Sequence, residues 1–328
     1  MRALCYDTCG PARAVLQIRT LPRPEPGPGE VLVRVAVSGA NPSDAKTRAG
    51  LRAPIPFPLV IPHSDGAGRI EAVGAGVDPG RLGQRVWLWN AAWQRPFGSA
   101  AEFVALPEAQ AVPLPDAASY AEGACLGIPA MTARHTVFAD GPVAGQTVLV
   151  TGGAGSVGGY AVQMARLGGA RVIATASAAK AAQARAMGAE AVIDYHAPDA
   201  AAQILEASGG GVDRIVEVEF GGNLPVTRQV LKPGGVIAAY GSMAVPEPVL
   251  PFYPMMFANQ TLRMILIYGL AAGPRAEAIG DLNRWLAAKA LTHPVALQVP
   301  LEEGWRAHEA CESNARIGAA LIEVARGV

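Results

Sequence analysis

The chain has little cysteine. Its 328 residues include only Cys5, Cys9, Cys125 and Cys311, which are too few and too dispersed for a disulfide scaffold in a chain of this length. Cys5 and Cys9 have a spacing found in metal sites, but no second pair supplies the remaining ligands of a tetrahedral site. We therefore expect these thiols to be small, partly buried side chains.

Long apolar runs and net charge are also lacking. Hydrophobic residues make up 51% of the chain, but the 16% that are charged are scattered, so no window approaches the run of about 18 apolar residues that a membrane span needs. The 27 Lys and Arg balance 27 Asp and Glu, which removes the basic excess typical of nucleic-acid binding. The first residues, MRALCYDTCG, contain no secretory h-region. We expect a cytoplasmic enzyme that binds neither membrane nor nucleic acid.

Glycine is abundant, and one cluster of it organises the chain. The segment 146–158, QTVLVTGGAGSVG, predicts a buried strand that ends in a glycine turn and continues as a helix. In such a turn Gly153 allows the tight bend, Gly155 lets the backbone approach a pyrophosphate, and Gly158 lets the helix lie close to the strand. Free N–H groups at the helix start then face the negative charge. The pattern predicts a dinucleotide site, with Ser156 and Val157 in the same turn.

The hydrophobic pattern divides the chain into two kinds of structure. Short β runs with turn residues between them fill the first 107 residues, which is typical of a compact, partly open barrel. From about residue 118 the period becomes helical, and strands then alternate with helices, which requires a parallel, doubly wound sheet. The last strand, AALIEV, has no βαβ continuation, so we expect it to return to the first domain. The predicted domains are 1-121 with 263-328, and 122-262.

Taken together, these segments resemble the zinc-independent, zeta-crystallin-like quinone oxidoreductases of the medium-chain dehydrogenase/reductase superfamily. The resemblance covers essentially the whole chain and implies a Rossmann cofactor domain and a discontinuous GroES-like, partly open β-barrel domain. It rests on SGANPSD, HSDGAGRIEAVGAGV, GSAAEFVALPE, LGIPAMTARHTV, VLVTGGAGSVGGYAVQMARLGGARVIATAS, GAEAVIDY, VLKPGGVIAAYGS and ARIGAALIEV, in this order.

The resemblance also points to missing zinc ligands. Zinc dehydrogenases of this superfamily place Cys, His and Cys at positions that correspond here to Asn41, Ser64 and about Ile128. An amide, a hydroxyl and an alkyl group cannot form a soft-ligand tetrahedral site. His63 lies one position away and would point to the other face of a strand. We expect no catalytic metal.

Cofactor preference is predicted from the end of the second strand of the dinucleotide unit. NAD-specific turns place an acidic residue there, which would repel a 2′-phosphate, whereas this chain has Ala176, followed by Ser177 and Lys180. NADPH-binding members of the family have Ser, Lys and Tyr at places that match Ser177, Lys180 and Tyr195. A lone surface lysine would be uninformative, but the three positions together favour NADPH.

Residues at the nicotinamide end follow from the resemblance alone. It places Asn41 near the nicotinamide ribose or the substrate, Thr132 beside the nicotinamide, and Gly241 and Ser242 at the end of a strand under the cofactor. Asn41 and Ser64 are the candidates for a hydrogen bond to the substrate carbonyl, with Thr132 the third residue assigned to the catalytic site. NPSD is equally a good capping sequence, so Asp44 remains open between capping and chemistry.

The substrate cleft is expected between the two domains, at the carboxyl ends of the strands. Trp87, Trp89 and Trp93 could line its rim, although aromatic side chains more often pack in cores or interfaces. Phe252, Tyr253 and Met255 are assigned to another side of the cleft. Lys46 and Arg48 stand where the family often has Tyr, which hints at a more polar or anionic substrate.

The function that these observations favour is hydride transfer from NADPH to a quinone or an α,β-unsaturated carbonyl. Two alternatives stay open: an enoyl-thioester reductase of the same superfamily, and a non-catalytic NADPH-binding protein. A zinc alcohol dehydrogenase is a third, which metal analysis would reveal. Family members are usually homodimers joined through the cofactor-domain sheet, and LRMILIYGL has the apolar β character of such an edge.

Overall fold

A computed structural model of the chain describes residues 1–51, 55, 57–313 and 315–325. The chain forms two compact units, one made of Met1–Ile128 with Ile279–Val328 and the other of Pro129–Ala278. The domain boundaries given above stay a prediction. None of the helices in the described ranges has the length and apolar character needed to cross a bilayer.

The elements are numbered here in chain order. The strands are β1 (Arg2–Cys5), β2 (Gln17–Thr20), β3 (Glu30–Ala40), β4 (Asp65–Val73), β5 (Arg85–Leu88), β6 (Phe103–Pro107), β7 (Ala111–Pro113), β8 (Thr147–Val150), β9 (Arg171–Thr175), β10 (Ala191–Ile193), β11 (Val212–Glu217), β12 (Leu231–Ala239), β13 (Thr261–Met264), β14 (Val295–Pro300) and β15 (Ala319–Glu323). The helices are α1 (Ala12–Val15), α2 (Pro42–Arg48), α3 (Tyr120–Gly123), α4 (Met131–Phe138), α5 (Ser156–Leu167), α6 (Ala181–Ala186), α7 (Ala200–Ser208), α8 (Phe220–Val230), α9 (Phe252–Phe257), α10 (Ala272–Ala287) and α11 (Gly304–Glu312).

The first unit is built on a mainly antiparallel sheet around the long strand β3. The sheet order is β14-β15-β3-β4-β5-β7, and β6 also pairs with β3. The closing strand β15 lies antiparallel to β3, with Leu321 opposite Gly39, so the predicted return of the chain end to this domain is confirmed. Alternate apolar residues of β3 and its neighbours enter one buried cluster, as the two-residue period of a strand requires. The described strands form no closed barrel.

The second unit contains a parallel sheet in the order β10-β9-β8-β11-β12-β13. Each neighbouring pair is parallel; Val150, for example, lies opposite Ala174 on β9 and Val216 on β11. The doubly wound fold is therefore confirmed. The strand order reverses between β8 and β11, and ligands bind at such a reversal, beyond the carboxyl ends of the strands.

Two predicted elements differ from the observed ones. The helical segment after residue 118 is divided into α3, a π-helical turn at Leu126–Ala130 and α4, and Pro129 lies in that turn, where it lacks the N–H of a regular helix. Only the first three residues of the apolar segment LRMILIYGL, 262–264, belong to β13, and a 3₁₀ turn follows at Ile267–Gly269.

Candidate functional site

The turn between β8 and α5 has the shape of a phosphate cradle. A Cβ on Gly158 would lie 2.1 Å from the Gly152 carbonyl oxygen, and one on Gly153 would lie 2.6 Å from the Ala174 Cβ, so both positions need glycine for close packing. A Cβ on Gly155 would meet only the Gly152 oxygen, at 3.2 Å. The left-handed residue that makes the bend is Gly152, with φ 64°, one position before the residue assigned to this role from the sequence.

The N-terminus of α5 supplies donors to this cradle. Gly155 is its N-cap in an extended conformation, and no side chain caps the helix there. Ser156 and Val157 follow as partly exposed residues of the first turn. The first N–H groups of a helix have no partner within it and carry partial positive charge. The turn therefore fits a dinucleotide pyrophosphate, although the roles of these residues as cofactor ligands stay predictions.

Polar side chains that the sequence reading missed hold the turn in place. The Thr151 hydroxyl donates to Glu217 Oε1 at 2.8 Å, and the same oxygen accepts from Asn223 Nδ2 at 2.8 Å. The Gly152 N–H donates to Thr175 Oγ1 at 3.2 Å. Burial raises the pKa of Glu217. Thr151, Thr175 and Glu217 follow or end β8, β9 and β11, and that shared position is the signal that could have identified them; Asn223 lies on α8.

The residues predicted to bind a ribose 2′-phosphate lie on two neighbouring strand ends. Ser177 precedes a 3₁₀ turn that carries Lys180, and Tyr195, 50% exposed, follows β10. The two segments are joined where the Ala176 N–H donates to the Ile193 carbonyl at 3.0 Å. The structure thus brings the segments together; the assignment of a phosphate to them stays a prediction.

Gly241 and Ser242 lie in the loop after β12. A Cβ on Gly241 would come within 2.4 Å of the Val218 carbonyl oxygen, so the position admits only glycine without a shift of the loop. The Ser242 hydroxyl donates to the Val245 carbonyl and accepts from the Gly221 N–H at 2.9 Å. The hydroxyl is therefore engaged by its own loop and by the start of α8. The contacts of Gly241 and Ser242 with a cofactor stay a prediction. Thr132 is buried in α4 of the same unit, and its predicted contact with the nicotinamide also stays a prediction.

In the first unit, the positions that correspond to zinc ligands surround Asp65. Asn41 donates through Nδ2 to Asp65 Oδ2 at 2.8 Å, and the backbone of Ile128 also hydrogen-bonds to this carboxyl. Ser64 precedes Asp65 in the chain and is buried, and no described residue hydrogen-bonds to its hydroxyl. Burial raises the pKa of Asp65 well above its ordinary value, which the two hydrogen bonds partly offset. Within the described residues, no group of three or more His, Cys, Asp or Glu is placed to hold a metal ion.

Asp44 serves as a capping residue. It is the third residue of α2, and its Oδ2 accepts from the Asn41 N–H at 2.8 Å. This pairing satisfies a backbone donor at the helix start. It also fixes the backbone from which the Asn41 amide reaches Asp65.

A chain of buried hydrogen bonds runs from the Asp65 main chain to two histidines. The Ser99 hydroxyl donates to the Asp65 carbonyl, so Ser38 Oγ must donate to Ser99 Oγ, at 2.7 Å. His63 Nδ1 then donates to Ser38, at 2.8 Å, and His63 Nε2 accepts from His308 Nε2, at 3.0 Å. Both rings are fully buried. Desolvation lowers the pKa of His63 to about 3 and that of His308 well below its ordinary value.

Two of the three tryptophans considered for the cleft rim lie in the interior of the first unit. Trp87 is fully buried and donates through Nε1 to Asn283 Oδ1 at 3.0 Å. Trp89 is also buried and donates to the Ala109 carbonyl at 3.1 Å. Of the two alternatives, the structure selects core packing for both.

Arg48 is likewise a structural residue. Its side chain is buried and donates to the Gly10 carbonyl and to Glu312 of α11. The ion pair joins α2 to α11, since a buried guanidinium needs such partners. One of the two basic residues that hinted at an anionic substrate is therefore committed to the fold.

Comparison with known families matches both parts of the chain. Residues 27–116 match the model described as Alcohol dehydrogenase GroES-like domain, and residues 156–286 match Zinc-binding dehydrogenase. A curated relative, mouse Quinone oxidoreductase, is 30% identical over 94% of this chain and 93% of its own. The rat Synaptic vesicle membrane protein VAT-1 homolog is 36% identical over 69% of this chain, but the chain spans only 55% of that relative.

A solved structure gives the same relationship in three dimensions. The mycobacterial protein described as a native structure complexed with NADPH has a TM-score of 0.86 and 27% identity, and the match covers 98% of this chain and 100% of that one. The second unit of this chain has the parallel sheet and the close-packed glycine turn that are typical of dinucleotide-binding domains.

Proposed function

The chain belongs to the quinone oxidoreductase family of the medium-chain dehydrogenase/reductase superfamily, and we propose that it reduces a quinone or an α,β-unsaturated carbonyl with NADPH, without zinc. The chain is an oxidoreductase. The proposal concerns which cofactor it uses, which acceptor it reduces and whether it needs a metal. The observation that carries it is the phosphate cradle of the second unit.

Cofactor binding rests on that cradle and on the two strand ends beside it. Gly155 leaves room for the pyrophosphate, and the N–H groups of α5 face it. When bound, NADPH supplies the hydride. Ser177, Lys180 and Tyr195 are the chain's candidates for the ribose phosphate, and their hydroxyl and ammonium groups suit an anion.

The acceptor side rests on Asn41, Ser64 and Asp65. Asn41 is oriented by Asp65 and retains a second amide N–H, while the Ser64 hydroxyl has no described partner. Both can donate to a carbonyl oxygen that gains negative charge during reduction, and the final proton comes from water. Asp65 acts as a positioning residue for Asn41.

Independence from zinc rests on the donor set. Asn41, Ser64 and Ile128 replace the three ligand positions, and the amide of Asn41 and the backbone of Ile128 are used by Asp65. These groups do not form the N/S tetrahedral site that zinc prefers. Stoichiometric zinc in the purified protein would overturn this part of the proposal.

A homodimer joined through β13 completes the proposal. This strand lies at the end of the six-stranded sheet. Its last residue, Met264, is 72% exposed, and Leu266, just beyond the strand, is 60% exposed. An open strand edge with apolar side chains favours pairing with a second copy. Phe252 and Tyr253 of α9 in the same unit are also largely exposed.

The proposal is tested by steady-state assays of NADPH oxidation with quinones, enones and enoyl thioesters. We expect turnover with a quinone or an enone, and Ser64→Ala should lower kcat at least tenfold while leaving the dissociation constant of NADPH unchanged. Ser177→Ala is the matched control, because it removes a hydroxyl at the cofactor phosphate and should change NADPH affinity instead. NADPH binding without turnover on any acceptor would support a non-catalytic NADPH-binding protein. Turnover only with enoyl thioesters would support an enoyl-thioester reductase.

A further inference from the structure

Asp194 lies between the two segments assigned to the cofactor phosphate. It follows β10 directly and precedes Tyr195. Its Oδ2 accepts from the Ala178 N–H at 3.3 Å, and its Oδ1 accepts from the His196 N–H at 3.0 Å. One carboxylate therefore contacts the turn that carries Lys180 and the segment that carries Tyr195.

The donor that Asp194 occupies is one that a phosphate would use. Ala178 is the first residue of the 3₁₀ turn after Ser177, and a backbone N–H next to a serine hydroxyl is a common pair of ligands for a phosphate oxygen. No described residue hydrogen-bonds to the Ser177 hydroxyl. A carboxylate oxygen and a phosphate oxygen are both anionic acceptors, so they compete for the Ala178 N–H.

We propose that Asp194 is a specificity-determining residue that limits the preference of this chain for NADPH over NADH. Its carboxylate occupies the Ala178 donor and repels a 2′-phosphate, while a ribose that carries a free 2′-hydroxyl can donate to it. The proposal rests on the proposed function, because it assumes that the segments around Ser177 and Tyr195 hold the adenosine ribose.

The variant Asp194→Asn removes the negative charge of this side chain while keeping nearly the same shape. The amide oxygen can still accept one of the two backbone hydrogen bonds, but the negative charge is lost and a donor is gained. A negative charge next to a phosphate at the protein surface weakens the binding of that phosphate, so we expect NADPH to bind about tenfold tighter to this variant. The affinity for NADH should stay the same or fall.

The measurement is the dissociation constant of each dinucleotide, by calorimetry or nicotinamide fluorescence, in the absence of an acceptor. Asp199→Asn is the matched control: it removes the same charge in the following loop, where the carboxylate accepts from Gln203 and not from the Ser177 turn. We expect the control to keep the wild-type ratio of affinities.

The outcomes distinguish this inference from the proposed function. Equal changes for NADPH and NADH in Asp194→Asn, or weaker NADPH binding, would overturn the role of Asp194 while leaving the cofactor site in place. Failure of the wild-type protein to bind either dinucleotide would overturn the proposed function and this inference with it.

Discussion

The buried His63–His308 pair predicts a loss of stability in the first unit on mild acidification. The pKa of His63 is about 3 in the folded chain against an ordinary value of 6.5, so between these values the unfolded chain binds the proton more readily. Stability is then fully present above pH 6.5 and falls as the pH falls. Full protonation corresponds to about 5 kcal/mol, of which about 2 kcal/mol is lost by pH 5. A proton on His63 Nε2 would also face the N–H of His308.

Tryptophan fluorescence isolates this unit from the other. All five tryptophans of the chain lie within it, so urea unfolding followed by their emission reports the first unit alone and avoids treating the two units as one transition. The free energy of unfolding is measured at pH 7 and pH 5 by linear extrapolation. The tryptophans are Trp87, Trp89, Trp93, Trp285 and Trp305.

The variant His63→Asn provides the comparison. Asn tolerates the left-handed backbone at this position, where φ is 79°, and it does not titrate. Asp65 has a raised pKa and its contribution to stability runs in the opposite direction with pH, but it is present in both proteins and cancels in the difference. We expect the variant to lose about 2 kcal/mol less than the wild type between pH 7 and pH 5.

Equal losses in the two proteins would refute this reasoning. His196→Asn, an exposed histidine of the second unit, is the control and should behave as the wild type. If His63→Asn does not fold, His308→Asn removes the other buried ring. The free energy of unfolding of this variant should change less with pH than that of the wild type, because one buried imidazole with a lowered pKa is gone.

Three further substitutions test the cofactor site and the proposed dimer. Gly155→Ala should weaken NADPH binding at least tenfold while costing about 1 kcal/mol or less in stability, because its Cβ meets no backbone closer than 3.2 Å. Gly158→Ala should lose both binding and stability, because its Cβ would meet backbone at 2.1 Å. Calorimetry measures the NADPH affinity, and thermal melting measures the stability. Met264→Asp should convert the dimer into a monomer in light scattering, because it places a charge on the open edge of β13.

The control for the dimer substitution uses another exposed apolar position. Leu82→Asp places the same charge on an exposed apolar residue of the first unit and should leave the oligomeric state unchanged. A wild-type monomer, or a Met264→Asp dimer, would contradict the edge pairing. A Gly155→Ala variant with unchanged NADPH affinity would contradict the cradle.

The sequence predicted the fold well because the fold depends on local periodicity. Alternation along β3 and the regular exchange of strands and helices after β8 each follow from burying one face of an element. The glycine turn was predictable because close packing and a positive φ leave few other residues possible. The exact bend was assigned one residue late, at Gly153 instead of Gly152, since two adjacent glycines permit either.

The polar network was not predictable in the same way. His63 and His308 are 245 positions apart, and neither has a local pattern that indicates the other. Glu217 and Thr151 meet only because β11 and β8 are neighbours in the sheet, which requires the strand order. Such contacts depend on tertiary structure, and buried polar groups are satisfied there case by case.

At Asn41, the sequence indicates the loss of a zinc ligand but not the role of the amide that replaces it. The missing zinc ligand predicts what the position cannot do, but the structure shows that the amide has a partner of its own, the buried carboxyl of Asp65. Replacing Asn41 by Cys would remove this donor and leave Asp65 with the Ile128 hydrogen bond and a larger desolvation cost. Of the three ligand positions, Asn41 is the one whose side chain contacts Asp65, so a metal ligand introduced there also removes a hydrogen bond from a buried carboxyl.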